Sequence, residues 1–203
     1  MKYLSSSFFT TVFLMSGLGL PGAIAQTPSP TPPSSWLDET TLWNEPGMDI
    51  PAAPQFPDGN NLEFCEQTFR QSTLPEDALV QAAGWTLTGA AQVFNDTTII
   101  TGMANADGMC RPLSYQVFVF SKGAFAGTIS PILMDSRTDG SVFSVDLYQA
   151  NELSARFNRY APEDALCCPS GESRVFYKIQ TDGDTAVLVP QLPAATFSSP
   201  DAQ

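Results

Sequence analysis

Seven short runs between residues 85 and 189 are β-branched or alternate between apolar and polar positions. Turn dipeptides such as Asn95-Asp96 and Asp182-Gly183 lie between neighbouring runs. Because each run is too short for a typical helix and changes face at every second residue, the pattern predicts antiparallel strands joined by hairpin turns. The predicted strands span residues 85–94, 97–103, 113–121, 124–130, 142–148, 174–180 and 185–189.

In the run 142–148, period-two alternation predicts Val142, Ser144, Asp146 and Tyr148 on one face. It places Phe143, Val145 and Leu147 on the other.

Two segments have loose helical spacing instead. Residues 61–79 predict a short helix that ends before Pro75, because a proline disfavours helical geometry at the residue before it. In residues 150–160, Leu153, Phe157 and Tyr160 recur at i, i+4 and i+7, which predicts one face of a second short helix. The sequence therefore predicts an α+β fold, mainly antiparallel β-sheet with one or two short helices. We expect residues 61–190 to form a single globular domain.

The N-terminus has the order of a secretory signal peptide. Lys2 precedes an apolar run at residues 8–20, and the small-residue site Ala23-Ile24-Ala25 follows. A membrane anchor is the alternative, but the run is shorter than the roughly 20 apolar residues of a spanning helix. We therefore expect residues 1–25 to be cleaved and the remaining chain to work outside the cytoplasm, in the periplasm or secreted.

Residues 26–60 contain eight prolines and no Lys or Arg. This composition predicts a disordered, acidic tether, interrupted by Trp36, Leu37 and Trp43. The two tryptophans are either isolated in a linker or part of a motif that docks on this domain or on a partner. Residues 191–203 are polar and predict a flexible tail.

The net charge of the chain disfavours some classes of binding partner. Loss of Lys2 with the signal peptide leaves 9 − 1 = 8 basic against 21 acidic residues, a net charge of −13. Such a surface repels nucleic acid and anionic lipid. The chain has no histidine, so the commonest general base and metal ligand are missing. We expect no cofactor and no resident metal.

The four cysteines Cys65, Cys110, Cys167 and Cys168 predict disulfides, because the count is even in an exported chain. Side chains of adjacent residues point to opposite faces of an extended segment. We therefore expect two long-range bridges, from Cys167 and Cys168 to Cys65 and Cys110 in an undetermined order. A redox-active Cys167–Cys168 bridge or a four-thiolate zinc site is the alternative, although adjacency does not match usual zinc spacing.

Three patterns in the sequence are candidates for a catalytic or metal site. The acidic turns at Asp135, Asp139-Gly140 and Asp182-Gly183-Asp184 carry carboxylate oxygens, which are the ligands that calcium prefers. They lack the spacing of an EF-hand, however, and Asp-Gly is a common hairpin turn. Glycoside hydrolysis needs a pair of carboxylates, but the chain has 21 Asp and Glu residues and the sequence does not single out one pair. No S-x-x-K motif accompanies Lys122 or Lys178.

The stretch 159–170 (RYAPEDALCCPS), followed by 175–179 (VFYKI), resembles the LppP/LprE-like family of exported bacterial proteins. The similarity covers roughly residues 85–190. This chain lacks the lipobox cysteine of the lipoprotein members. The family has no established activity, so the resemblance implies an exported domain and no reaction.

These observations predict a non-enzymatic envelope or secreted module. It binds a protein or glycan partner through an exposed sheet face or through the aromatic residues of the tether. The alternatives are a small hydrolase that uses acidic residues and a redox sensor that uses Cys167 and Cys168. Surplus exposed aromatics on a sheet face favour the binding module.

Overall fold

The structure, a computed structural model, describes residues 35–57 and 59–198. The predicted signal peptide, residues 26–34 of the predicted tether and residues 199–203 lie outside the described residues. The described elements form two antiparallel sheets and one α-helix, with short 3₁₀ turns at Trp36–Asp38, Leu62–Phe64 and Glu66–Thr68. The predicted fold class, mainly antiparallel β-sheet with little helix, is confirmed.

The first sheet is a meander of four strands in sequence order. Its members are β1 (Thr86–Phe94), β2 (Thr97–Ala106), β3 (Pro112–Ser121) and β4 (Ala124–Thr128). The second sheet runs β5-β6-β7-β8, and β9 pairs with the first part of β7. Its members are β5 (Val142–Gln149), β6 (Glu152–Arg159), β7 (Gly171–Asp182), β8 (Thr185–Pro190) and β9 (Ala195–Ser198). All seven predicted strands are present.

One core lies between the sheets and a second covers the far side of the first sheet. The first core joins Val117 and Val119 of β3 to Phe157 of β6 and Tyr177 of β7. The second joins Phe118 of β3 to the helix α1 (Pro75–Ala82) and to residues near Ala53. Strand β3 is therefore buried on both faces, as its apolar residues on alternate sides require.

The two helix predictions are wrong. Residues 152–159 form strand β6, in which Leu153, Ala155 and Phe157 point into the core at period two. Pairing with β5 and β7 satisfies the backbone of this segment and overrides its helical spacing. The α-helix also begins at Pro75 instead of ending before it, because proline at the first helical position loses no intrahelical hydrogen bond.

The start of α1 is fixed by a buried ion pair. Asp77 Oδ2 accepts hydrogen bonds from the backbone N–H groups of Thr73 and Leu74, each at 2.9 Å. Arg70 Nη1 donates to the same oxygen at 2.7 Å. Burial alone raises the pKa of Asp77, but these hydrogen bonds lower it to about 2. The carboxylate thus satisfies the backbone N–H groups of the two residues that precede the helix.

Residues 36–56, which we call the strap, are packed on the domain and do not form the predicted tether. Leu37 is fully buried, and the Trp36 indole lies against Gly140, where a Cβ atom would come within 2.9 Å of it. Asn44 Nδ2 donates to the carbonyls of Thr128 at 3.0 Å and Leu188 at 2.9 Å, so it joins the two sheets. The strap supplies buried contacts that its proline content concealed.

The end of the described chain also differs from the flexible tail that was predicted. Strand β9 pairs with β7 between Arg174 and Gly171, and Leu192 and Ala194 pack on the first core. These contacts extend the folded unit to residue 198.

Candidate functional site

The outer face of the second sheet is the part of the fold that no other described layer covers. On β7, Val175, Tyr177 and Ile179 point into the core, so Arg174, Phe176 and Lys178 point outward. The first sheet differs, because α1 and the strap cover its far side. A surface for contacts outside the fold is therefore expected on the second sheet.

Four aromatic side chains are exposed on this outer face. Phe143 and Tyr148 lie on β5, Phe176 on β7 and Phe197 on β9, and each is 40–54% exposed. Phe143 was predicted to share a face with Val145 and Leu147. A register shift between Val142 and Ser144 instead turns Val142 to the core and Phe143 outward.

The same face carries three of the eight Lys and Arg side chains of the described residues: Arg156, Arg174 and Lys178. Arg156 and Arg174 are direct cross-strand partners on β6 and β7. The guanidinium of Arg156 lies over the Phe143 ring, with its Cζ 4.3 Å from the ring centroid. The face thus combines exposed rings with a central pair of cations. We call Phe143, Tyr148, Phe176, Phe197, Arg156 and Arg174 the outer aromatic face.

The free edge of β5 next to this face is closed by a side chain of the first sheet. Gln92 Nε2 donates to the Val145 carbonyl at 2.7 Å, and the Leu147 N–H donates to Gln92 Oε1 at 3.2 Å. The amide therefore occupies backbone groups that another strand would use. A partner on this sheet is expected to contact side chains rather than extend β5 here.

The structure pairs the cysteines as Cys65–Cys110 and Cys167–Cys168, so the predicted long-range bridges from the adjacent pair are wrong. The prediction assumed an extended backbone at residues 167–168. The chain turns there instead, and the Cys168 N–H donates to the Ala165 carbonyl at 2.8 Å. Adjacent side chains in a turn need not point to opposite faces.

Both Cys167 and Cys168 are exposed in the loop between β6 and β7. Asp164 Oδ2 holds this loop by accepting from the N–H groups of Ala161 at 2.7 Å and Ser170 at 2.8 Å. These backbone hydrogen bonds lower the pKa of Asp164.

The two strap tryptophans and Asp139 contact other parts of their own domain. Trp36 is 8% exposed and packs on Phe157, and Trp43 Nε1 donates to the Thr128 carbonyl at 3.0 Å, so these indoles contact their own domain. Asp139 Oδ1 accepts from Arg159 Nε and from the Tyr160 N–H, each at 3.0 Å. Within residues 35–57 and 59–198, no group of three His, Cys, Asp or Glu is placed to hold a metal ion.

A cavity of about 460 Å³ lies between α1 and β1. Its lining includes Arg70, Gln81 and Trp85 but no Asp or Glu. The lining of this cavity therefore lacks the pair of carboxylates that glycoside hydrolysis requires.

The described part of the chain contains no helix long and apolar enough to cross a membrane. No curated protein and no solved structure matches this chain. The family model described as LppP/LprE lipoprotein matches residues 94–182, from the end of β1 to the end of β7. Over this segment the chain is LppP/LprE-like, which suggests an exported, envelope-associated protein.

Proposed function

We propose that this chain is a non-enzymatic binding module of the cell envelope and that a protein partner binds its outer aromatic face. One observation carries the proposal. Four aromatic side chains are 40–54% exposed on one face of a sheet whose other face forms the core. Solvent-exposed rings gathered on one face favour a contact surface, because burying them against a partner removes apolar area from water.

The composition of the face supports a protein partner over a small molecule. Aromatic residues and arginine are enriched in the buried centres of protein interfaces, where a few of them dominate the binding energy. Small-molecule sites are usually concave, whereas these side chains stand on the outside of a sheet. The tryptophans of the strap no longer compete as a binding motif, because they pack on their own domain.

A photo-crosslinking experiment tests this proposal. The crosslinker p-benzoylphenylalanine is placed at position 176 and, as the matched control, at position 94. Phe94 is 43% exposed and Phe176 is 40% exposed, but Phe94 lies on the first sheet. We expect a discrete adduct in the envelope of exporting cells from position 176 and none from position 94. No adduct at 176, or the same adducts at both positions, would contradict the proposal.

The Cys167–Cys168 pair favours a second candidate function, in redox sensing. In this scheme a thiolate of a dithiol oxidoreductase attacks one Sγ, and the S–S bond breaks to give a mixed disulfide and a cysteine thiolate that takes up a proton. The second thiol of the reductant then displaces the other cysteine, so the reductant is oxidised to a disulfide and both cysteines become thiols. The observation in favour is the exposure of both residues.

A further inference from the structure

The charges at the centre of the outer aromatic face are unbalanced, and this deepens the proposed function, on which the following inference rests. Arg156 and Arg174 are Cα partners on neighbouring antiparallel strands, so their side chains leave the same face side by side. Like charges directly opposite on a sheet destabilise it. Two arginines in this position are therefore expected to serve an anion that lies over them.

The other cations of the face have partners within the chain. Arg156 reaches Glu172 at 3.9 Å, its Nε donates to Ser144 Oγ at 2.8 Å, and Lys178 reaches Glu152 at 3.8 Å. Within the described residues Arg174 has no ion pair, and its Nε is buried without a hydrogen-bond partner. Arg174 is thus the cation of this face whose charge no described carboxylate neutralises.

We infer that Arg174, with Arg156, binds an Asp or Glu side chain of an acidic segment of the protein partner. The planar guanidinium presents paired N–H donors that match the two oxygens of a carboxylate, and such charge-assisted bonds are stronger than neutral ones. Phe143 below Arg156 and Phe176 two residues from Arg174 supply apolar surface on the same face. The matching segment therefore has acidic residues next to apolar ones.

Charge complementarity argues against the other occupants. A two-fold dimer through this face would bring the same patch of two copies together, and with it their Arg156–Arg174 pairs. Anionic membranes attract clusters of four to eight basic residues. This face has three, two of which are paired with glutamates.

Selection from a displayed library of random peptides tests the inference. The library is selected on wild-type protein, on Arg174→Met and on Lys122→Met, which removes one exposed positive charge from the turn between β3 and β4. We expect the wild-type protein to select peptides in which Asp or Glu adjoins apolar residues. A synthetic peptide from this set should bind Arg174→Met about tenfold more weakly. Lys122→Met should change the affinity by less than about twofold.

Peptides without acidic enrichment, or equal affinity of wild type and Arg174→Met, would overturn the inference. The assignment of a protein partner would be overturned if polygalacturonate or anionic lipid vesicles bound more tightly than the peptides and lost as much affinity in Arg174→Met. If Arg174→Met melts early, Arg174→Lys replaces it, since lysine keeps the charge and loses the planar fork. A several-fold loss in Arg174→Lys is then expected, and unchanged affinity overturns the inference.

The two proposals fail in different ways. If the adduct at position 176 persists unchanged in Arg174→Met, a partner binds the face but the inferred contact between Arg174 and a carboxylate is wrong. If the wild-type background gives no adduct at position 176, the proposal that a partner binds the outer aromatic face is itself wrong.

Discussion

The indole of Trp36 packs edge-on against the ring of Phe157, with the ring centroids 5.0 Å apart. Trp36 belongs to the strap and Phe157 lies near the end of β6, so this contact ties a proline-rich segment to the second sheet. Arg159, two residues after Phe157, reinforces it through an ion pair with Asp38 at 2.8 Å. The strap is therefore part of the folded unit.

Trp36→Ala is expected to destabilise the domain, because it leaves a cavity between Phe157 and Gly140. The loss of unfolding free energy should be about 3–5 kcal/mol, which lowers Tm by roughly 10 °C in a domain of this size. Leu42→Ala, at a strap residue that is 59% exposed, is the control and should change stability by less than about 0.5 kcal/mol. Thermal melting measures both.

Limited proteolysis gives a second readout of the strap. Wild type should resist cleavage between residues 36 and 56, and Trp36→Ala should be cut there. Rapid trimming of the wild-type strap would show that it is a tether after all.

The Arg70–Asp77 pair predicts a specific acid sensitivity. The pKa of Asp77 is about 2 in the fold, below its ordinary value of 3.8, so the folded state binds the proton less readily than the unfolded state. The stabilisation, on the order of 2 kcal/mol, is fully present above the unfolded pKa and is lost as pH falls through 4 towards 2. Asp77→Asn should lower the unfolding free energy at neutral pH by about 3 kcal/mol, because it leaves Arg70 without its charge partner.

Denaturant titrations from pH 7 to pH 2 check this expectation, with the exposed Asp184→Asn as the control. The difference between wild type and Asp77→Asn should shrink as the pH falls. A difference that is constant with pH would show that the Asp77 charge does not contribute.

The two disulfides are expected to differ in accessibility. Cys167 and Cys168 are exposed, whereas Cys65 is 1% exposed, so a thiol reductant should reach the loop bridge first. Partial reduction, alkylation and peptide mapping should therefore label Cys167 and Cys168 while Cys65–Cys110 stays intact. Earlier labelling of Cys65 would contradict the difference in accessibility, and a peptide that joins Cys167 to Cys65 would contradict the pairing.

The Cys65–Cys110 bridge should contribute more to stability because it links residues 45 apart in sequence. The double variant Cys65→Ser, Cys110→Ser is expected to lose up to about 4 kcal/mol of unfolding free energy. The double variant Cys167→Ser, Cys168→Ser is the matched control. Its bridge joins adjacent residues and closes no long loop, so its removal should cost less stability.

Much of the sheet could be predicted from sequence because period-two alternation and turn dipeptides are local signals. Strand β6 was missed because Leu153 and Phe157 fit both a helical face and, with Ala155 between them, a strand face. Its neighbours β5 and β7 decide between these, and pairing is not a local property. Pro75 with Asp77 at the third helical position was a signal for the start of α1.

The outer aromatic face could not be assembled from sequence for the same reason. The opposition of Arg156 and Arg174 requires β6 to be a strand in a particular register. Phe143 reaches this face through a register shift, and Phe197 through β9 in a segment that looked like a tail. Docking of Trp36 and Trp43 follows from tertiary contacts that a proline-rich composition does not reveal.

Hydroxyl-radical footprinting tests most directly whether a partner covers the outer aromatic face in the cell envelope. Oxidation of Phe143, Tyr148, Phe176 and Phe197 is compared between purified protein and protein in isolated envelopes. Phe64 and Met109, which are 71% and 72% exposed elsewhere, serve as controls. We predict that the four aromatic residues of the face are protected in envelopes while Phe64 and Met109 are oxidised equally in both samples. Equal oxidation of the face in both samples would contradict the account.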